Sequence, residues 1–149
     1  MPRPVRLAVR GLLIIDNRLL LVNAWRDRSD LLCAPGGGVE LHSSLHDNLK
    51  REFHEETGLG IAVHAPCLVN EFHDPDGDFH QVDIYFHVTH VDGDPYGEWT
   101  DPEGVVSERH WLTRAEVAQR KVKPDSVAAV AWGDTGPRTF YDPLEPLMR

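Results

Sequence analysis

An apolar stripe and a dense run of acids share one short stretch of this chain. Leu45, Leu49 and Phe53 recur every four residues, the spacing of a core-facing helical face. Over the same turns, Arg51-Glu52-Phe53-His54-Glu55-Glu56-Thr57-Gly58-Leu59 places three carboxylates within five residues. At about 100° per residue, Glu52 and Glu56 project within roughly 60° of the stripe's centre, and Glu55 falls near its border. Burying a carboxylate costs several kcal/mol unless something neutralises it. Arg51 can pair with one of these acids but not with all three. A hard divalent cation with oxygen ligands is the simplest charge that satisfies such a cluster.

The ends of the helix are written in the sequence. Ser44 is placed to cap its N-terminus, with Asp47 at the third helical position in the manner of a capping box. Gly58, after Thr57, supplies a left-handed stop. Before the helix, Pro35-Gly36-Gly37-Gly38 lets the backbone approach a ligand closely. Residues 5–15 and 19–25 read as strands joined by a turn at Asp16-Asn17, and residues 26–30 as a polar loop. A strand over 61–72, broken at Pro66, precedes a loop at Asp74–Asp78. Val82, Ile84, Phe86 and Val88 then alternate with polar partners, the mark of a half-buried strand. A second loop spans Asp92–Glu103 and a last strand Val105–Leu112. Helices are expected near 113–120 and 125–132, and the Gly/Pro-rich tail from Gly133 reads as irregular. Frequent hairpins favour a mixed sheet flanked by helices over a parallel doubly wound one.

Bulk properties narrow the function. The length of 149 residues suits one domain, read as residues 1–149, with a proper core. No apolar run approaches the ~20 residues of a membrane span, and the basic N-terminus lacks the apolar core of a signal peptide. A cytoplasmic location is the expectation, and no membrane partner is expected. The net charge of -9 argues against a general nucleic-acid binder, which needs a basic face. Cys33 and Cys67 have no metal-type spacing and read as buried thiols.

Gly37, then Arg51-Glu52-Phe53-His54-Glu55-Glu56-Thr57-Gly58-Leu59 at fixed distance, resembles the Nudix box of the Nudix hydrolases. The resemblance covers residues 37–59 directly. It implies an α/β fold, a Nudix-like α/β/α sandwich around a mixed β-sheet, and a metal-dependent hydrolase. The reaction implied is cleavage of the diphosphate linkage in a nucleoside diphosphate joined to another moiety, a small-molecule partner. Glu52, Glu55 and Glu56 would hold Mg²⁺ (or Mn²⁺), with the Gly37 carbonyl as a further ligand. Carboxylate, carbonyl and phosphate oxygens are what magnesium prefers. Glu52 is the first candidate for general base, and Arg51 would hold the glutamates in position. Glu108, three residues before Trp111, is a further candidate for ligand or base.

One position departs from the box. Its first glutamate would fall at residue 43, where this chain has Ser43. In the family that glutamate supports the arginine, and Glu40 stands close enough in sequence to replace it. Ser43 also sustains an alternative reading, a Nudix-like domain that binds a nucleotide without cleaving it. Asp101 and Glu103 are weaker acidic candidates, and Tyr96, Trp99 and Trp25 are aromatics with the chemistry to stack on a base. The tail ending in Leu144-Glu145-Pro146-Leu147 suggests a homodimer contact.

Overall fold

Alternation along two strands organises the molecule. In a computed structural model that describes residues 3–26 and 28–147, β1 (Arg6–Leu12) runs parallel to β7 (His80–Asp92). Successive side chains on each strand point to opposite faces. Val9, Ile84, Phe86 and Val88 face one way, into an apolar cluster with Leu49 and Phe53. Arg6, Arg10, Gln81, Asp83 and Tyr85 face the other way, onto the wall of a cleft. Gln81, Asp83 and Tyr85 are each almost fully buried. The polar half of this alternation is therefore not a solvent face.

The remaining elements are β2 (Ile14–Ile15), β3 (Arg18–Trp25), β4 (Arg28–Cys33), β5 (Gly36–Gly38), α1 (Leu45–Thr57), β6 (Gly60–His73), β8 (Arg109–Thr113), α2 (Arg114–Val117), α3 (Val127–Ala131) and β9 (Phe140–Pro146). One sheet has the order β5-β1-β7-β6-β9, with parallel β1/β7 and β6/β9 pairs and antiparallel β5/β1 and β7/β6 pairs. A second, four-stranded sheet joins β2, β3, β4 and β8. Helix α1 covers one face of the first sheet. Residues of α2 and α3 close a second core over Leu19, Leu21, Leu68 and Leu112. The expected α/β sandwich with a mixed sheet is what the chain adopts.

Helix α1 obeys its signals. The Ser44 side chain accepts the Asp47 N–H at 3.0 Å, the N-cap half of the expected capping box. Gly58, at φ 76°, donates to the His54 carbonyl at 2.8 Å. Asp16 and Asn17 both have positive φ, and Ile15 pairs with Arg18, so they form a two-residue hairpin turn of the mirror-image type.

Several boundaries differ from expectation. The polar loop over 26–30 shortens, since β4 begins at Arg28 and pairs with Trp25; Asp27, in that loop, lies outside the described residues. The last strand starts at Arg109 rather than Val105, because side chains take the preceding N–H groups. Asp101 accepts from Glu103 and Val106, and Asn23 from Ser107 and Glu108. Helices α2 and α3 are shorter than expected. The tail is not irregular: Phe140–Pro146 adds a parallel edge strand to β6. Backbone pairing with an available edge, not apolar periodicity, orders that segment.

Phe53 lies fully buried against Gly11, where an added Cβ would meet its ring at 2.9 Å. Phe53→Ala should cost about 3–5 kcal/mol, read as a lower urea midpoint. An unshifted midpoint would show that this helix face is not core.

Candidate active site

The acidic edge of α1 faces the glycine strand β5. A cavity of about 220 Å³ is lined by Gly36, Gly37, Gly38, Glu52, Glu55 and Glu56, with Asp101, Glu103 and Val106 across from the helix. The apolar stripe anchors α1, and its register turns the glutamates toward β5. Glu55 also faces the cavity, although helical geometry alone placed it near a border. The segment around Asp101 and Glu103 encloses it. That segment is mounted on the helix itself. Trp99 Nε1 donates to the Glu55 carbonyl at 2.8 Å, and Arg109 Nη1 to the Thr57 carbonyl at 2.8 Å.

The glycines are required by close approach. A Cβ on Gly36 would lie 2.0 Å from the Val9 carbonyl, and one on Gly37 would lie 2.5 Å from the Glu52 carboxylate. A side chain at residue 37 would occupy the space the carboxylate uses.

Charge in the cavity is poorly neutralised. Burial pushes the Glu56 carboxyl up to about 8. Glu52 and Asp101 push it the same way, while Arg10 and the Gly36 N–H, 3.3 Å from Glu56 Oε2, pull against them. Burial also raises Glu55, and the neighbouring Glu52 and Glu103 add to it. Arg51 reaches Glu52 at 3.2 Å and Glu40 at 3.1 Å, with Glu55 at 3.9 Å. Two carboxyls that resist ionisation, Glu55 and Glu56, beside Glu52 and facing a strand without side chains, offer the donor chemistry of a hard divalent cation. Glu52, Glu55, Glu56 and the Gly37 carbonyl are the groups that would hold one. Among the described residues no group of three His, Cys, Asp or Glu side chains is already arranged to hold a metal ion.

Ser43 is exposed, and its place at the arginine is taken by Glu40. Buried Asn48 fixes the intervening turn, accepting from the Glu40 N–H and donating to the Ser43 and Ser44 carbonyls. Glu108 is elsewhere: its carboxylate stands 3.5 Å from His110 Nε2 and is not part of the cavity lining. Asp101 and Glu103 line the cavity instead, and both Asp101 oxygens are committed to backbone N–H groups. Trp99 and Tyr96 do not line this cavity: Trp99 stands edge-on to His54, and Tyr96 donates to Asp16 and lies against Trp111. Cys33 and Cys67 are free thiols. Cys33 lines the cavity, where burial pushes its thiol up to about 11, which keeps it protonated and inert near neutral pH.

Sequence reasoning missed a second cavity of about 460 Å³ beyond Arg6, Arg10, Ala24 and Cys33, which line both spaces. Trp25, Phe72 and Phe79 form apolar parts of its wall, and Asn70, Gln81 and Asp83 its polar parts. The sequence signals for it are the polar half of β7 and Trp25, the one aromatic stacking candidate that lines it.

Two predictions follow from these charges. Glu56 holds its proton in the folded state and loses it near the ordinary carboxylate range when unfolded. Its contribution is therefore full below about pH 4 and is lost as pH rises through about 8. In chelator-containing buffer, Glu56→Gln should melt higher than the parent chain at pH 9, with the gap closing toward pH 5. A gap independent of pH would refute the assignment. The Glu40 side chain is 72% exposed, so its pair with Arg51 adds roughly 0–1 kcal/mol of stability. Glu40→Gln should leave melting nearly unchanged yet weaken Mn²⁺ affinity up to about tenfold by freeing Arg51. Unaltered Mn²⁺ titrations would exclude that role.

Comparison with known proteins agrees with this geometry. The family model described as the NUDIX domain matches residues 4–133. A UDP-X diphosphatase structure superposes with a TM-score of 0.72 at 19% identity, covering 97% of this chain and 69% of the other. A NUDIX hydrolase from Nitrosomonas europaea gives 0.73 at 17% identity, with 91% and 93% covered. An ADP-ribose pyrophosphatase from Streptococcus suis gives 0.66 at 14% identity, with 93% and 98% covered. No curated protein matches the chain in sequence. With a matching family model over most of its length, and the box residues gathered around one cavity, the chain belongs to the NUDIX family of hydrolases.

Proposed function

We propose that this chain is a divalent-metal-dependent hydrolase that splits the diphosphate linkage of a nucleoside diphosphate joined to another moiety. The observation that carries this reading is that the two cavities are adjacent, sharing Arg6, Arg10, Ala24 and Cys33 in their walls. The smaller one offers carboxylates beside bare backbone. The larger one, with aromatic and amide walls, falls within the roughly 300–1,000 Å³ of small-molecule sites and has room for a base or sugar. Neighbours of the same fold carry the names UDP-X diphosphatase and ADP-ribose pyrophosphatase, which fits a substrate with a diphosphate at its centre.

Mg²⁺ or Mn²⁺ held by Glu52, Glu55, Glu56 and the Gly37 carbonyl would supply Lewis-acid polarisation of the phosphoryl oxygens. The chain's own groups do the rest. Glu52, steadied by Arg51, takes a proton from the attacking water. The water oxygen bonds to phosphorus while the bridging P–O bond breaks, its electron pair leaving with the departing phosphate. Glu103, at the rim near Glu55, takes the late-segment position expected for Glu108. Glu40 answers the departure at Ser43, which favours turnover over binding alone. Among the described residues no helix is long and apolar enough to cross a membrane.

A screen of nucleoside diphosphate derivatives with Mg²⁺ and Mn²⁺ tests the activity. On the best substrate, Glu55→Gln and Glu56→Gln should each reduce turnover about a hundredfold or more while circular dichroism stays unchanged. Full activity in both variants would remove these glutamates from the mechanism, and tight binding without cleavage into the two phosphomonoesters would favour a sensor.

A further inference from the structure

Among the described residues, Arg6 is the cation lining this cleft whose charge is not spent. Four basic side chains line the larger cavity: Arg3, Arg6, Arg10 and Lys123. Arg3 pairs with Asp78, Arg10 with Asp83 and Lys123 with Asp125. Arg6 makes no ion pair among the described residues; its Nη1 donates at 2.5 Å to Oε1 of Gln81, a neutral amide. That amide is itself held, because Gln81 Nε2 donates at 2.6 Å to Asp83. The contact therefore orients the guanidinium without neutralising it.

Its position is set by the glycine strand. A Cβ on Gly37 would strike the Glu52 carboxylate, whereas a Cβ on Gly38 would lie 2.9 Å from Arg6 Nη2. Adjacent glycines thus leave room for the acidic cluster at one residue and for Arg6 at the next. Arg6 also borders both cavities. A group seated over the bare strand, between metal-binding acids and an unneutralised planar fork, must be anionic with several oxygens. Guanidinium matches phosphoryl oxygens by paired N–H donors.

We propose that Arg6 binds non-bridging oxygens of the substrate's diphosphate at the junction of the two cavities, directing the non-reacting moiety into the larger one. This rests on the diphosphate reading above. Arg10, committed to Asp83 and to the Ala34 carbonyl, serves the wall instead of the ligand.

Calorimetry with methylenediphosphonate and Mg²⁺ tests the assignment without turnover, since its P–C–P bridge resists hydrolysis. Arg6→Gln should weaken binding about tenfold or more, Arg6→Lys less, and the salt dependence of affinity should flatten in Arg6→Gln. Arg114→Ala, which removes a surface arginine paired with Asp134, should change nothing. On a hydrolysed substrate, Arg6→Gln should raise KM with kcat within about threefold, the signature of lost uniform binding. Equal affinity of Arg6→Gln and the parent chain, or no binding by the parent chain, overturns the proposal. If the analogue binds through Arg6 but no diphosphate is cleaved, the hydrolase reading fails and this one stands. If cleavage proceeds with KM unchanged in Arg6→Gln, the reverse holds.

Discussion

The buried ion pair between Arg10 and Asp83 is the contact on which the cleft depends. At 2.8 Å, with the Asp83 side chain only 3% exposed, it joins the parallel strands β1 and β7 at the sheet's centre. Arg10 also donates to the Ala34 carbonyl, just before β5. One guanidinium therefore ties together the two central strands and the glycine segment. Such a pair adds little net stability, because desolvation offsets its attraction, but breaking one half is costly. Its value here is geometric: it holds a polar wall open inside a sheet whose opposite face is a packed core.

Around that wall the molecule separates support from chemistry. The apolar stripe of α1 fixes the helix against β1 and β7, and the glutamates project from the edge left over. Trp99 and Arg109 clamp the end of the same helix to the segment carrying Asp101 and Glu103. Both sides of the acidic cavity thus move with one element, which limits the freedom of the carboxylates relative to each other. Packing holds them there, and burial, with their mutual repulsion added, is what raises the carboxyls of Glu55 and Glu56.

Much of this was legible in the chain. The caps at Ser44 and Gly58, the turn at Asp16-Asn17 and the alternation of β7 rest on local geometry, so local spacing reveals them. Glu52 and Glu56 were placed by helical angle alone. Glu55 was not, because its enclosure comes from residues more than forty positions away. Residues 105–108 look like a strand, but Asn23 and Asp101 take the N–H groups of residues 106–108, and that competition is invisible to periodicity. The tail looks irregular because it carries Gly and Pro; it becomes β9 because the edge of β6 is free to receive it.

By itself the sequence determined the helix, its anchoring stripe, a glycine segment open to close approach and the excess of acid on the helix. These follow from spacing along one element. Only the tertiary structure decided which charges stay unneutralised. It assigned Glu40 to Arg51, sent Glu108 to His110, and paired Arg10 while leaving Arg6 with an amide. It also turned the polar half of β7 into a cavity wall instead of a wet surface. An alternating strand looks the same whether its polar side meets water or another layer of the fold, and only packing distinguishes the two.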